Sequence, residues 1–87
     1  MYEVHTKPHI DKIFYTLSKK NPKQLEIISK KLEEITKDPH RFKNLRIPLN
    51  KWKRVHIDKH FVLTFSIDEK TKTVILEDYD HHDNIYK

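Results

Sequence analysis

The chain contains no cysteine and no glycine. Without thiols there is no disulfide, no thiolate nucleophile and no zinc–thiolate cluster. Without glycine there can be no glycine-rich phosphate loop, which removes P-loop and Rossmann readings. No serine sits in a turn suited to a nucleophile. No apolar run is long enough to span a bilayer, and no basic segment followed by an apolar core opens the chain. A soluble, cytoplasmic protein with no membrane partner is expected. At 87 residues, with hydrophobic and charged residues at 36% each, the chain has apolar material for one modest core. A single domain over residues 1–87 is therefore expected.

What is abundant is positive charge. Eighteen Lys and Arg against thirteen Asp and Glu give a net charge of +5, and seven histidines can add to it. A small domain with a pI near 9.4 suggests a polyanionic partner, most often nucleic acid. Lysine richness for solubility alone is the plainer explanation of the same numbers.

The apolar periodicity divides the chain. Tyr2 and Val4 alternate with Glu3 and His5, as in a short strand with Tyr2 and Val4 toward a core. Ile10, Ile13, Phe14 and Leu17 lie on one helical face. Asn21-Pro22 ends that helix and opens the next, with Asn21 as N-cap and Gln24 at the capping-box position. Leu25, Ile28, Leu32 and Ile35 form a second stripe, stopped at Asp38-Pro39. Residues 40–51 are basic and without a clean period, as in a loop. From Trp52 the period becomes two, giving strands over 52–57, 61–67 and 73–79. Consecutive strands with short connections favour an antiparallel meander. The expected class is α+β: an N-terminal strand, a helical hairpin, then a three-stranded antiparallel meander.

The strand faces set an expected register. If the apolar sets share one face, Val55 lies opposite Phe61, Ile57-Asp58-Lys59 forms the loop, and His56 faces His60 across the hairpin. Arg54, His56 and His60 would then cluster on the face away from the apolar layer.

Histidine is where the chain invests in chemistry. The tail, His81-His82-Asp83-Asn84-Ile85-Tyr86-Lys87, is too polar to serve a core. Imidazole can give or take a proton near neutral pH. His56, His60, His81, His82 and Asp83 include metal-ligand types. Yet no H-E-x-x-H helix is present, and adjacent His81 and His82, if extended, point to opposite faces. No metal and no cofactor are expected. Cleavage of RNA suits the residues better, because RNA carries its own nucleophile in the 2′-hydroxyl. The enzyme must accept that proton, protonate the leaving 5′-oxygen and stabilise the phosphorane. An aromatic ring can stack a base and hold the strand bent. Arg46, Arg54, His56, His60, His82 and Tyr86 supply this toolkit. Exposed histidines and arginines without a role are the plainer alternative.

Three segments taken in order carry a family resemblance: Leu45-Arg-Ile-Pro-Leu-Asn-Lys-Trp52, Arg54-Val-His-Ile-Asp-Lys-His-Phe-Val-Leu-Thr-Phe65, and Asp80-His-His-Asp-Asn-Ile-Tyr86. Over nearly the whole chain they resemble the RelE/ParE superfamily of type II toxins. The second segment is similar to the His-Ile-x-x-Asp-Trp-Val-Leu-x-Tyr pattern of the YafQ-type branch, and the third to that branch's His-Ser-x-Leu-Phe ending. The resemblance implies a RelE-like, microbial-ribonuclease-like sheet packed on helices. It also implies an mRNA interferase, an endoribonuclease acting in the ribosomal A site on mRNA. The implied partners are the ribosome and a cognate RelB-like antitoxin, in a heterotetramer with it.

Carried over by position, His82 is the general acid, Tyr86 the tail aromatic and His56 the strand histidine. His60 stands where the YafQ-type branch has aspartate. Phe61 stands where other branches place a phosphate-stabilising arginine, leaving Arg54 or Arg46 to supply positive charge. Arg46, Lys51, Lys53 and Asp83 complete the RNA-binding set, although strand alternation puts Lys53 on the face opposite Arg54 and His56. Two other functions fit the same superfamily and charge: a ParE-like inhibitor of DNA gyrase, and a basic RNA-binding domain without activity.

Overall fold

A computed structural model describes residues 1–45 and 51–85. Its elements run β1 (Glu3–Thr6), α1 (Pro8–Lys20), α2 (Pro22–Lys37), a 3₁₀ turn (Pro39–Arg41), β2 (Lys53–Ile57), β3 (Phe61–Asp68), β4 (Thr73–His81) and a last helical turn, α3 (His82–Ile85). The sheet order is β1-β4-β3-β2. β2, β3 and β4 form the antiparallel meander, and β1 joins β4 in parallel.

A chain without glycine must end its helices by other means. Asn21 alone separates α1 from α2. Its N–H donates to Leu17 O and its side chain accepts from the Gln24 N–H at 3.2 Å, so one residue caps both helices. Asp38 ends α2 with its N–H on Glu34 O, and Pro39 stops further helix. The two hairpin loops place Asp58 (φ 58°) and Lys72 (φ 53°) in the left-handed region, a cost of roughly 1–2 kcal/mol each without glycine. Asp58 offsets part of it by accepting the Lys59 N–H at 2.7 Å.

The helical hairpin covers one face of the sheet. Ile10, Ile28 and Ile35 meet Val55, Ile57, Leu63, Phe65, Val74, Leu76 and Tyr79 in the core. Phe65 is the largest fully buried side chain, and Phe42, from the segment after the 3₁₀ turn, meets it edge-on at 5.8 Å between centroids. Val4 was expected inward but is 39% exposed on the outermost strand. Tyr2 does pack against the core.

Two features of the sheet depart from the simple alternation. The β2–β3 pairing is Ile57 with Phe61 and Val55 with Leu63, so the loop is Asp58-Lys59-His60 rather than Ile57-Asp58-Lys59. Face parity is unchanged by this two-residue shift. It keeps Ile57 in the strand and wholly buried, where the expected register would spend it in a loop. The second feature is a bulge: Thr64 pairs with Asp78 but Phe65 with Leu76, which makes Glu77 the extra residue. The bulge reverses the alternation of β4. Before it Val74 and Leu76 face the helices; after it Tyr79 does, and Asp78 and Asp80 turn to the other face.

Candidate functional site

The face of the sheet away from the helices is ordered in rows. Arg54, Thr64 and Asp78 pair across β2, β3 and β4; one step along, His56, Val62 and Asp80 do the same. The row ends are thus cationic or imidazole on β2 and carboxylate on β4. The centre is apolar or hydroxyl-bearing, and Val62 and Thr64 are fully buried. The Thr64 hydroxyl donates to Asp78 O at 3.3 Å. The charge pattern favours an anion at the β2 side of these rows over the β4 side.

Residues 82–85 turn onto this face. β4 ends at His81, and the chain turns at once into α3, which packs against β3 and β4. The His82 N–H donates to His60 O at 2.6 Å, pinning the turn to the β2–β3 loop. The His82 ring then stacks on His56, with centroids 5.6 Å apart and planes inclined by 30°. His56 is held below its ordinary pKa of 6.5, first by desolvation, then by the neighbouring Arg54 and by His82. It is therefore neutral at pH 7 and able to accept a proton. Asp83 lies 3.7 Å from Nδ1 of both His82 and His81.

His60 does not join His56. With the register set at Ile57–Phe61, His56 faces Val62 and His60 lies in the loop. The His60 ring stacks on His81 at 5.9 Å and 11°. Phe61 meets His81 edge-on at 5.6 Å and stacks on Tyr79 at 5.4 Å. The expected Arg54/His56/His60 cluster is thus corrected to Arg54/His56/His82, with His60 and His81 as a separate pair. The Tyr79 hydroxyl is pushed up to about 12, mainly by burial and then by Asp58, so it stays protonated near neutral pH.

Lys53 sits on the helix-facing side of β2. Its Nζ donates to Phe42 O at 2.9 Å and to Asn44 Oδ1 at 2.8 Å. It ties down the segment that pairs with the start of β2 through Leu45 N–H on Trp52 O and Arg54 N–H on Lys43 O. Lys51 is exposed. Arg46 and Tyr86 lie outside the described residues. Sequence reasoning missed Asp80, whose Oδ1 accepts the His81 N–H at 2.7 Å and the Asn84 side-chain amide at 3.0 Å. The spacing Val74-x-Leu76 followed by Tyr79, a break in the period of two, was the available signal for the bulge that turns Asp80 outward.

No protein-family model matches the chain. It is 62% identical over 87 residues to "Putative toxin RelE4" of Methanocaldococcus jannaschii, covering all of this chain and 93% of that protein. An uncharacterised protein of Methanosarcina mazei is 60% identical over 86 residues, 99% of this chain and 100% of that one. Among solved structures, the RelBE2 toxin–antitoxin complex of Mycobacterium tuberculosis has a chain with TM-score 0.76 at 22% identity, covering 93% of this chain and 98% of that one. The YoeB–YefM complex of Staphylococcus aureus has one with TM-score 0.78 at 14% identity, covering 94% and 98%. At those identities the likeness is one of fold. It matches the strand, helical hairpin and mixed sheet found here, while the full-length identity to the Methanocaldococcus protein fixes the lineage: the chain belongs to the RelE family of toxins.

Proposed function

We propose that this toxin is an endoribonuclease that cuts mRNA in the ribosomal A site, in the cytoplasm, and is silenced by a cognate RelB-like antitoxin. The observation that carries the reading is the contact of His56 and His82 beside Arg54 on the open face of the sheet. His56, kept neutral, accepts the 2′-hydroxyl proton. The oxygen attacks the adjacent phosphorus, Arg54 stabilises the added negative charge, and protonated His82 delivers a proton to the leaving 5′-oxygen. The products are a 2′,3′-cyclic phosphate and a 5′-hydroxyl. In-line displacement puts base and acid on opposite sides of phosphorus, whereas the free rings touch. Bound substrate must therefore part the rings before the step.

An antitoxin partner is supported by the fold neighbours, which were solved as toxin–antitoxin complexes, one of them a heterotetramer. The excess of positive charge favours an acidic inhibitor laid over the same surface. The deciding experiment pairs primer-extension mapping of mRNA on programmed ribosomes with a DNA gyrase supercoiling assay. Cuts within A-site codons with gyrase unaffected are expected. Gyrase inhibition without mRNA cleavage would replace this reading with the ParE-like one, and salt-dependent RNA binding without either would leave a binding domain.

A further inference from the structure

Four residues of α3 cannot hold a helical turn unaided, because nucleation costs more than so short a segment recovers. The place of His82 must therefore be fixed from outside the turn. Besides the local contact of the Asp83 N–H with Nδ1 of His81 at 3.3 Å, two further tethers are present among the described residues. One is the His82 N–H on His60 O, which holds the backbone but leaves the direction of the turn open. The other is Asp80. It is the last outward residue of β4, half-buried, and paired with Val62 in the row that ends at His56. Its Oδ1 accepts from the His81 N–H directly before α3 and from the Asn84 amide inside α3.

We propose that Asp80 is the positioning residue for the tail histidine, its carboxylate oxygen gripping both ends of the strand-to-helix turn so that His82 is seated on His56. This rests on the functional reading above only in naming His82 as the acid; the seating itself is independent of it. The bulge at Glu77 belongs to the same device, since without it Asp80 would face the helices. Charge-assisted hydrogen bonds of this kind are about twice as strong as neutral ones, and the oxygen rather than the full charge is what the geometry uses. An amide oxygen in the same place should therefore retain the function.

The test uses the full-length chain with isotope-labelled histidine, in the wild type, Asp80→Ala, Asp80→Asn and Asn84→Ala. The readouts are the His56–His82 inter-ring NOE, the His56 titration midpoint, and kcat and KM for RNA cleavage. Asp80→Ala is expected to abolish the NOE, raise the His56 midpoint toward its ordinary value, and lower kcat at least tenfold with KM changed less than threefold. Asp80→Asn is expected to keep NOE, midpoint and kcat within threefold of wild type. Asn84→Ala, at an exposed position that cannot unfold the core, is expected to weaken the NOE and carries the test if Asp80→Ala does not fold. Full NOE intensity in both Asp80→Ala and Asn84→Ala overturns the proposal, and so does an Asp80→Asn variant that behaves like Asp80→Ala. If the NOE and midpoint respond as stated while the wild type cuts no RNA, the positioning role stands and the nuclease reading falls.

Discussion

Replacing His82 by alanine should separate catalysis from folding. Removing a general acid typically costs a factor of 10² to 10⁴, or about 2.7–5.4 kcal/mol of barrier at 1.36 kcal/mol per decade. The structural loss is far smaller. The His82 side chain is 44% exposed, and a ring contact like that with His56 is worth about 0.5–1.5 kcal/mol. The melting temperature should thus fall by no more than about 12 °C. The pH profile adds an independent sign. His56 accepts a proton only when neutral, and its pKa lies below 6.5 because of burial, Arg54 and His82. In the wild type the rate should rise with pH through a midpoint below 6.5. Without His82 that acid limb should move upward, because one of the groups depressing His56 is gone. Single-turnover cleavage between pH 5 and 9, with a thermal melt of each protein, measures all of this. A variant within threefold of wild type, or one with an unshifted acid limb, would refute the reasoning.

Asn21→Ala should lower stability by about 1 kcal/mol, since one side chain caps α2 at the junction of the helical hairpin; thermal melting checks it, with cleavage unchanged at permissive temperature. Lys53→Ala should cost roughly 1–3 kcal/mol through its two hydrogen bonds to Phe42 and Asn44. It should change the cleavage step less than tenfold, and a larger kinetic loss in a folded variant would contradict a purely structural role for Lys53. Glu69 is drawn down to about 2, chiefly by Lys72 and then by His40 and Tyr2. Its depressed pKa contributes stability that is present above its ordinary 4.5 and is lost as pH falls through about 2. The melting-temperature gap between wild type and Glu69→Gln should therefore be steady above pH 5, close between pH 4.5 and 2, and shrink in 1 M salt because the cluster is exposed.

The helical hairpin was legible because its signals are local: two apolar stripes, one asparagine, and prolines at the right places. The meander was legible from alternation, and so was the separation of Lys53 from Arg54 and His56. What alternation could not fix was the end of the pairing. Two registers of equal parity keep the same faces, and only the burial of Ile57 selects the one that takes His60 away from His56. The bulge at Glu77 showed only as the break in the period of two after Leu76. It depends on a buried carboxylate finding Ser66 at 2.6 Å and Lys7, partners from β3 and the start of α1. The tail reads as extended in sequence, yet it forms a helical turn because Asp80, Asn84 and the His60 carbonyl hold it. Tertiary tethers of this kind leave no periodic trace.

The ends of the cut RNA test the proposed mechanism most directly. Attack by the 2′-hydroxyl, with His56 as base and His82 as acid, leaves a 2′,3′-cyclic phosphate on one fragment and a 5′-hydroxyl on the other. Mass spectrometry of fragments from purified toxin and a short RNA, or from programmed ribosomes, identifies the ends. Cyclic phosphate and 5′-hydroxyl termini that disappear with His82→Ala are the predicted result. Termini bearing 5′-phosphate and 3′-hydroxyl would contradict it, because they require water as the nucleophile.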